Sequence, residues 1–152
     1  MKRLITLAKD GKINEDASVK DVHSIIINAP IDKVWNILIQ ADQWPQWNSD
    51  IKSVAIEGEP NEDQSFKWNF DGTKFNAQFQ KIEKLTTLTW TGKSKWSMSI
   101  HNWQLVADDN QTIATLSTSL QGTFVILANK HQKVYSDLIN WLEKLKEKAE
   151  KD

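Results

Sequence analysis

Residues 66–79 read FKWNFDGTKFNAQF, and this stretch sets the terms for the rest of the chain. Phe66, Trp68 and Phe70 alternate with Lys67 and Asn69, so a strand here is apolar on one face and polar on the other. Asp71-Gly72 is a strong two-residue hairpin pair. Phe75, Ala77 and Phe79 then restore the alternation on the way back. A one-faced hairpin must be covered. What covers it decides the fold.

Toward the C-terminus the same period of two continues. Leu88 and Trp90 stand opposite Thr87, Thr89 and Thr91. Next come Trp96, Met98 and Ile100 in one phase and His101, Trp103 and Leu105 in the other, a change that predicts a bulge near residues 100–102. Asp108-Asp109-Asn110 is a turn signal, and Ile113 to Leu120 reads as a last strand before Gly122. The period then becomes helical: Leu127, His131, Val134, Leu138, Trp141 and Leu145 share one stripe. Lys144, Lys146 and Lys148 crowd its end, where positive charge suits the helix dipole. This is the one element long enough to cover the strands.

Toward the N-terminus, His23 to Asn28 reads as a strand stopped by Ala29-Pro30. Val34, Trp35, Leu38 and Ile39 recur at helical spacing, with Asp32 in the first turn. Trp44-Pro45-Gln46-Trp47 breaks that helix, with a further short helical turn before Ile51. Residues 1–22 carry no clear period, with a turn at Lys9-Asp10-Gly11-Lys12 and a polar Asn14-Glu15-Asp16, and are expected to form an irregular N-terminal arm. The expectation is an α+β helix-grip fold over residues 23–150. A curved antiparallel sheet of about six to seven strands wraps around a long C-terminal helix, with one or two short helices after the first strand.

Composition narrows the function classes. The 152 residues suit one domain with a sizeable core. Nineteen basic and 20 acidic residues nearly balance, at a net charge of -1, so the basic footprint of nucleic-acid binding is missing. No apolar run approaches the ~20 residues of a membrane span, and Leu4 to Ala8 is too short for a secretory signal. Stable membrane insertion is not expected. There are no cysteines, which fits a cytoplasmic setting. The three histidines, His23, His101 and His131, have no metal-ligand spacing. No metal and no other cofactor are expected. Eight tryptophans contrast with a single tyrosine, Tyr135, and a single arginine, Arg3.

Ile27-Asn28-Ala29-Pro30, Val34-Trp35, Leu38, Trp44-Pro45-Gln46-Trp47 and Ile51 resemble the opening signature of the SRPBCC, or START-like, superfamily. Within it the chain is most similar to the polyketide cyclase/dehydrase-like branch. Leu88-Thr89-Trp90-Thr91-Gly92, His101-Asn102-Trp103-Gln104-Leu105 and Ser119-Leu120-Gln121-Gly122 extend the likeness over roughly residues 20–150. The resemblance implies a cavity between the concave sheet face and the closing helix. It does not choose among lipid carriers, aromatase/cyclases and chaperone cofactors, all of which use this fold.

The expected function is binding or transport of a hydrophobic or aromatic small molecule, lipid- or polyketide-like. Trp68, Phe70, Phe79, Trp90, Trp103 and Leu138 are candidate walls, unless these rings plug the space instead. His101, Thr118 and His131 are candidate orienting groups, with Ser117 beside them. A cyclase or dehydratase is the alternative, with His101 as the candidate catalytic base; a protein-interaction module is another. Proton abstraction beside a ketone needs a base and an oxyanion donor. The resemblance implies arginine, tyrosine and acidic groups in aromatase pockets, whereas Arg3 lies outside the domain body. Tyr135 falls on the closing helix, and Thr118 stands where look-alike chains carry an acid. The catalytic inventory is thin.

Overall fold

The computed structural model describes residues 1–122 and 131–151. Seven antiparallel strands form one sheet: β1 (Val19–Ile27), β2 (Ile51–Ala55), β3 (Ser65–Phe70), β4 (Thr73–Glu83), β5 (Thr87–Lys93), β6 (Met98–Asp108) and β7 (Gln111–Gln121). Their order in space is β1-β7-β6-β5-β4-β3-β2. After β1 come α2 (Ile31–Ile39), a 3-10 turn (Ala41–Gln43) and the single-turn α3 (Trp44–Trp47). These three cross from one sheet edge to the other, because β1 and β2 lie at opposite ends. The closing helix α4 (His131–Glu150) packs against β1, β7, α2 and α3. Its stripe is Leu138, Trp141, Leu142, Leu145 and Ala149, all buried. Leu127, assigned to the same stripe from sequence, lies outside the described residues.

The hairpin of residues 66–79 forms as its residues dictate. β3 ends at Phe70 and β4 starts at Thr73, leaving Asp71 (φ 51°) and Gly72 (φ 91°) as a two-residue loop. Both loop residues have positive φ, which matches the right-handed twist of the flanking strands and favours Asp-Gly. Phe66 then faces Ala77 and Trp68 faces Phe75 across the ladder.

Two expectations change. Residues 2–9 form a helix, α1 (Lys2–Lys9), where an irregular arm was expected, and β1 begins at Val19 rather than His23. The helix is closed by Gly11 (φ +70°), with Lys12 N–H donating to Leu7 C=O (2.9 Å) and Gly11 N–H to Ala8 C=O (3.0 Å). That is the paired-bond stop that glycine makes cheap. α1 lies on the convex face of the sheet, where Leu4 and Ala8 pack on Ile100. Asn102 ties it down by donating to Gly11 C=O at 2.8 Å while accepting from the buried Thr89 hydroxyl at 2.8 Å.

The second change follows from the first. The expected bulge at residues 100–102 is absent: β6 pairs with β5 and β7 without a shift in register. Ile100 is apolar because α1 covers the outer face, not because the strand changes phase. The bulges lie elsewhere, between Phe79 and Lys81 against β5 and between Ile51 and Ser53 against β3. An extra residue on one strand bends it and increases its twist, which helps the sheet curl. Among the described residues no helix is long and apolar enough to cross a membrane.

Candidate functional site

The strand registers place side chains in rows across the concave face. One row is Ile82, Leu88, Trp103 and Leu116. The next is Phe79, Trp90, His101 and Thr118, ending at Asp21 on β1. The third is Phe66, Ala77, Gly92, Ser99 and Leu120. Large side chains dominate the first two rows toward β4 and β5, and small ones run through the middle of the third.

Where the rings meet, the interior is full. Trp90, Trp103, Phe79 and Trp44 are completely buried. Trp44 lies 4.9 Å from Trp90 between ring centroids, Phe66 stacks on Phe79 at 4.4 Å, and Trp103 stacks on Trp141 at 5.3 Å. Trp44 anchors α3 by donating its indole N–H to Leu38 C=O at 2.9 Å. Side chains packed this closely fill the space themselves, as protein cores ordinarily do.

Where the small row runs, a recess of about 100 Å³ remains. β3 and β4 supply Trp68, Phe70 and Phe75; β6 supplies Ser99 and His101; β7 supplies Leu116, Thr118 and Leu120; α4 supplies Val134, Asp137, Leu138 and Trp141. A mouth space of about 340 Å³ adjoins it, sharing Phe70, Phe75, Leu120, Val134 and Asp137. Gly92 sits against the wall formed by Ser99 and Phe75: a β-carbon there would stand 2.8 Å from the Ser99 hydroxyl oxygen.

His101 sits at the boundary between the filled and open parts. Its ring stacks on Trp90 (5.0 Å, 26°) and meets Trp68 edge-on (5.5 Å, 84°). Nδ1 and the Thr118 hydroxyl are hydrogen-bonded at 3.3 Å. Desolvation within this apolar wall lowers the His101 pKa to about 3, so the imidazole is neutral at ordinary pH. At the rim, Lys133 binds Asp71 of the β3–β4 hairpin at 2.7 Å and Asp137 at 3.1 Å. Burial raises the Asp137 pKa in spite of Lys133. Burial works against the Lys133 charge, yet the bonds to Asp71 and Asp137 prevail and raise its pKa.

Donors inside this wall are poorly served. The indole N–H groups of Trp68, Trp90, Trp103 and Trp141 and the Ser99 hydroxyl have no hydrogen-bond partner among the described residues. A buried unpaired donor costs about 1–3 kcal/mol. Aromatic faces relieve only a minor part of that. Three of these groups, on Trp68, Trp141 and Ser99, belong to residues lining the recess.

Of the sequence candidates, Trp68, Phe70, His101, Thr118 and Leu138 line the recess together. Phe79, Trp90 and Trp103 lie in the filled part and reach it only through their neighbours. His131, at the start of α4, is 62% exposed, lies 3.1 Å from Asp21 and does not line the recess. Ser117 lies on the outer face beside α1. Arg3 pairs with Asp16, and Tyr135 is exposed against His23. Sequence reasoning missed Ser99, two residues before His101 and so on its face. It also missed Trp141 and Val134, which share the stripe of Leu138. Nothing local marked Asp137. Among the described residues no three His, Asp or Glu side chains gather as metal ligands would.

The family model for "Polyketide cyclase / dehydrase and lipid transport" matches residues 18–150. No curated protein matches the sequence. Among solved structures, a hypothetical protein from Helicobacter pylori is similar at a TM-score of 0.78 and 16% identity, covering 89% of this chain and 90% of that one. A START superfamily protein from Mycobacterium smegmatis gives 0.73 at 12% identity, over 86% and 97% of the two chains. The Zhui aromatase/cyclase from Streptomyces sp. R1128 gives 0.69 at 14% identity, over 86% and 93%. Likeness at these identities establishes a shared fold.

Proposed function

Because this chain belongs to the polyketide cyclase / dehydrase and lipid transport family of the START-like superfamily, we propose that its recess binds a small hydrophobic or aromatic molecule, carried or sensed rather than transformed. The observation that carries this reading is the recess itself: an apolar-walled gap beside a neutral imidazole in an otherwise ring-packed interior. An aromatic ring of about 150 Å² buried there contributes roughly 4 kcal/mol before ordering costs. Binding by the recess alone is therefore weak, about millimolar at best, and a ligand that also fills the mouth binds more tightly. Cytoplasmic residence is part of the same proposal.

Trp68 and Trp141 stand in the wall and provide the readout. Titration with acetophenone, naphthalene and palmitate is expected to give saturable quenching of tryptophan emission by at least one of them. An emission spectrum unmoved by all three at millimolar concentration counts against a binding cavity.

A cyclase or dehydratase remains the second reading, because His101 reaches the recess. A pKa of about 3 makes it a weak base, far from the near-neutral value that general-base catalysis favours. Its supported role is to accept or donate a hydrogen bond. His101→Asn is expected to change ligand affinity; loss of turnover of a polyketide-type ketone in that variant would favour the enzyme.

A further inference from the structure

Two hydrophobic clusters hold the described residues together, and they do not merge. The large one fills the grip between the concave face and α4. The small one lies outside, where Leu4 and Ala8 of α1 meet Ile100, with Leu7, Ile13 and Met98 partly buried around them. The family match begins at residue 18, so α1 lies outside the residues that carry the family fold. The surface beneath it is mostly polar. Thr89 and Asn102 are buried there and bonded to each other at 2.8 Å. Gln80 donates to Thr91 at 3.0 Å and to Gln78 at 2.9 Å, and its Oε1 is buried with no partner among the described residues. Water serves such hydroxyls and amides as well as a helix does, and serves the Gln80 oxygen better.

From this arrangement we infer that α1 is a releasable strap on the convex face. Residues 1–10 swing away as a unit while the seven strands and α4 stay folded, so the outer face has a covered and an uncovered state. The apolar contacts to be given up are few, centred on Leu4, Ala8 and Ile100. The charged ties, Arg3 to Asp16 and Lys9 to Asp63, are exposed at both ends and hold weakly in water. The chain just beyond is fixed by contrast. Asn14 is buried, its backbone N–H donates to the Ser119 hydroxyl at 3.1 Å, and its side-chain amide bonds Gln121. Between strap and anchor stands Gly11 at φ +70°, a residue free to leave that conformation once the bond from Asn102 to its carbonyl (2.8 Å) breaks. The uncovered state bares Ile100, whose chain neighbours Ser99 and His101 line the recess. The strap therefore sits directly behind the recess wall.

The chain has no cysteine, so a single introduced thiol reports its own exposure. Ala8 and Ala114 are both fully buried, the first on the strap and the second in the main core. Ala8→Cys and Ala114→Cys are each treated with dithionitrobenzoate in native buffer and in low urea. The thiol at position 8 is expected to react roughly 100-fold faster, at a rate that urea hardly changes, because local opening exposes little surface. The thiol at position 114 should wait for global unfolding and speed up steeply with urea. Equal rates with the same urea dependence would mean that α1 leaves only when the whole protein unfolds, and would overturn the strap. Hydrogen exchange of the unaltered full chain guards against a helix loosened by the substitution itself. Amides of residues 5–9 should exchange roughly tenfold faster or more than those of β5, again with little response to urea. Equal protection of the two segments overturns the inference whatever the thiols do, because the unaltered chain decides where the two measurements disagree.

Discussion

The two halves of the gripped interior are built by the same strands and differ only in which residues face inward. In one half, Trp90 packs against Trp44, Phe66 and Phe79 and Trp103 against Trp141, with Leu88 buried among the same core residues. In the other, Ser99, Thr118 and Leu120 face Val134, Asp137 and Leu138 of α4, and about 100 Å³ stays open. A sharply curved sheet cannot lie flush against a straight helix, so space arises unless large side chains take it up. Here they take up one half. The fold provides the gap and side-chain size decides where it survives, so a START-like chain can be part plug and part pocket.

The largest test of that contrast is truncation in the filled half. Trp90→Ala should lose about 3–5 kcal/mol in urea unfolding, the range for a large aromatic removed from a close-packed core. A loss below 1 kcal/mol would mean that the ring cluster is loosely packed and the contrast false.

His101, between the halves, gives a pH signature. Its folded pKa of about 3 lies below the ordinary 6.5, so between these values the unfolded chain binds a proton that the native state refuses. Stability is therefore full above pH 6.5 and falls as pH drops, by about tenfold in the folding constant per pH unit, levelling off near pH 3. Asp137, whose pKa burial raises, acts with the opposite sign, because the native state takes up its proton first. Comparing wild type with His101→Gln in denaturant titrations from pH 7 to 4 isolates the histidine; parallel curves would show that His101 is not desolvated.

Enlarging side chains separates the halves more finely. Leu88→Phe, in the filled half, should cost about 1–3 kcal/mol by overpacking. Leu120→Phe, on the recess wall, should be nearly neutral and should weaken acetophenone binding. Equal costs at the two sites, read from chemical denaturation, would erase the distinction. The smallest effect is at the rim: Lys133→Ala removes an ion pair between the β3–β4 hairpin and α4. It should cost under about 1 kcal/mol and be salt-sensitive, because Lys133 is half exposed.

Much of the fold was legible because its signals are local. The Asp71-Gly72 hairpin, the alternation of Phe66, Trp68 and Phe70, and the stripe of Leu138, Trp141 and Leu145 each report a period that the backbone imposes. The misread bulge shows where that logic stops. Ile100 breaks an inward-only pattern because α1 covers the outer face, and no period of two within β6 can announce a helix 90 residues earlier. The threonines of β5 illustrate the same point: Thr89 looks solvated by its phase and is fully buried beneath α1.

By itself the sequence determined the one-faced hairpin, the closing helix, the neutral charge balance and the set of inward rings, since each depends on residues a few positions apart. Only the tertiary structure decided that Trp90 and Trp103 fill space while Trp68 and Trp141 bound it, and that His131 pairs with Asp21 instead of lining the recess. Those outcomes depend on register across strands and on the volume left between sheet and helix. Such quantities belong to the packed whole, because whether a ring lines a cavity or closes it depends on what stands opposite.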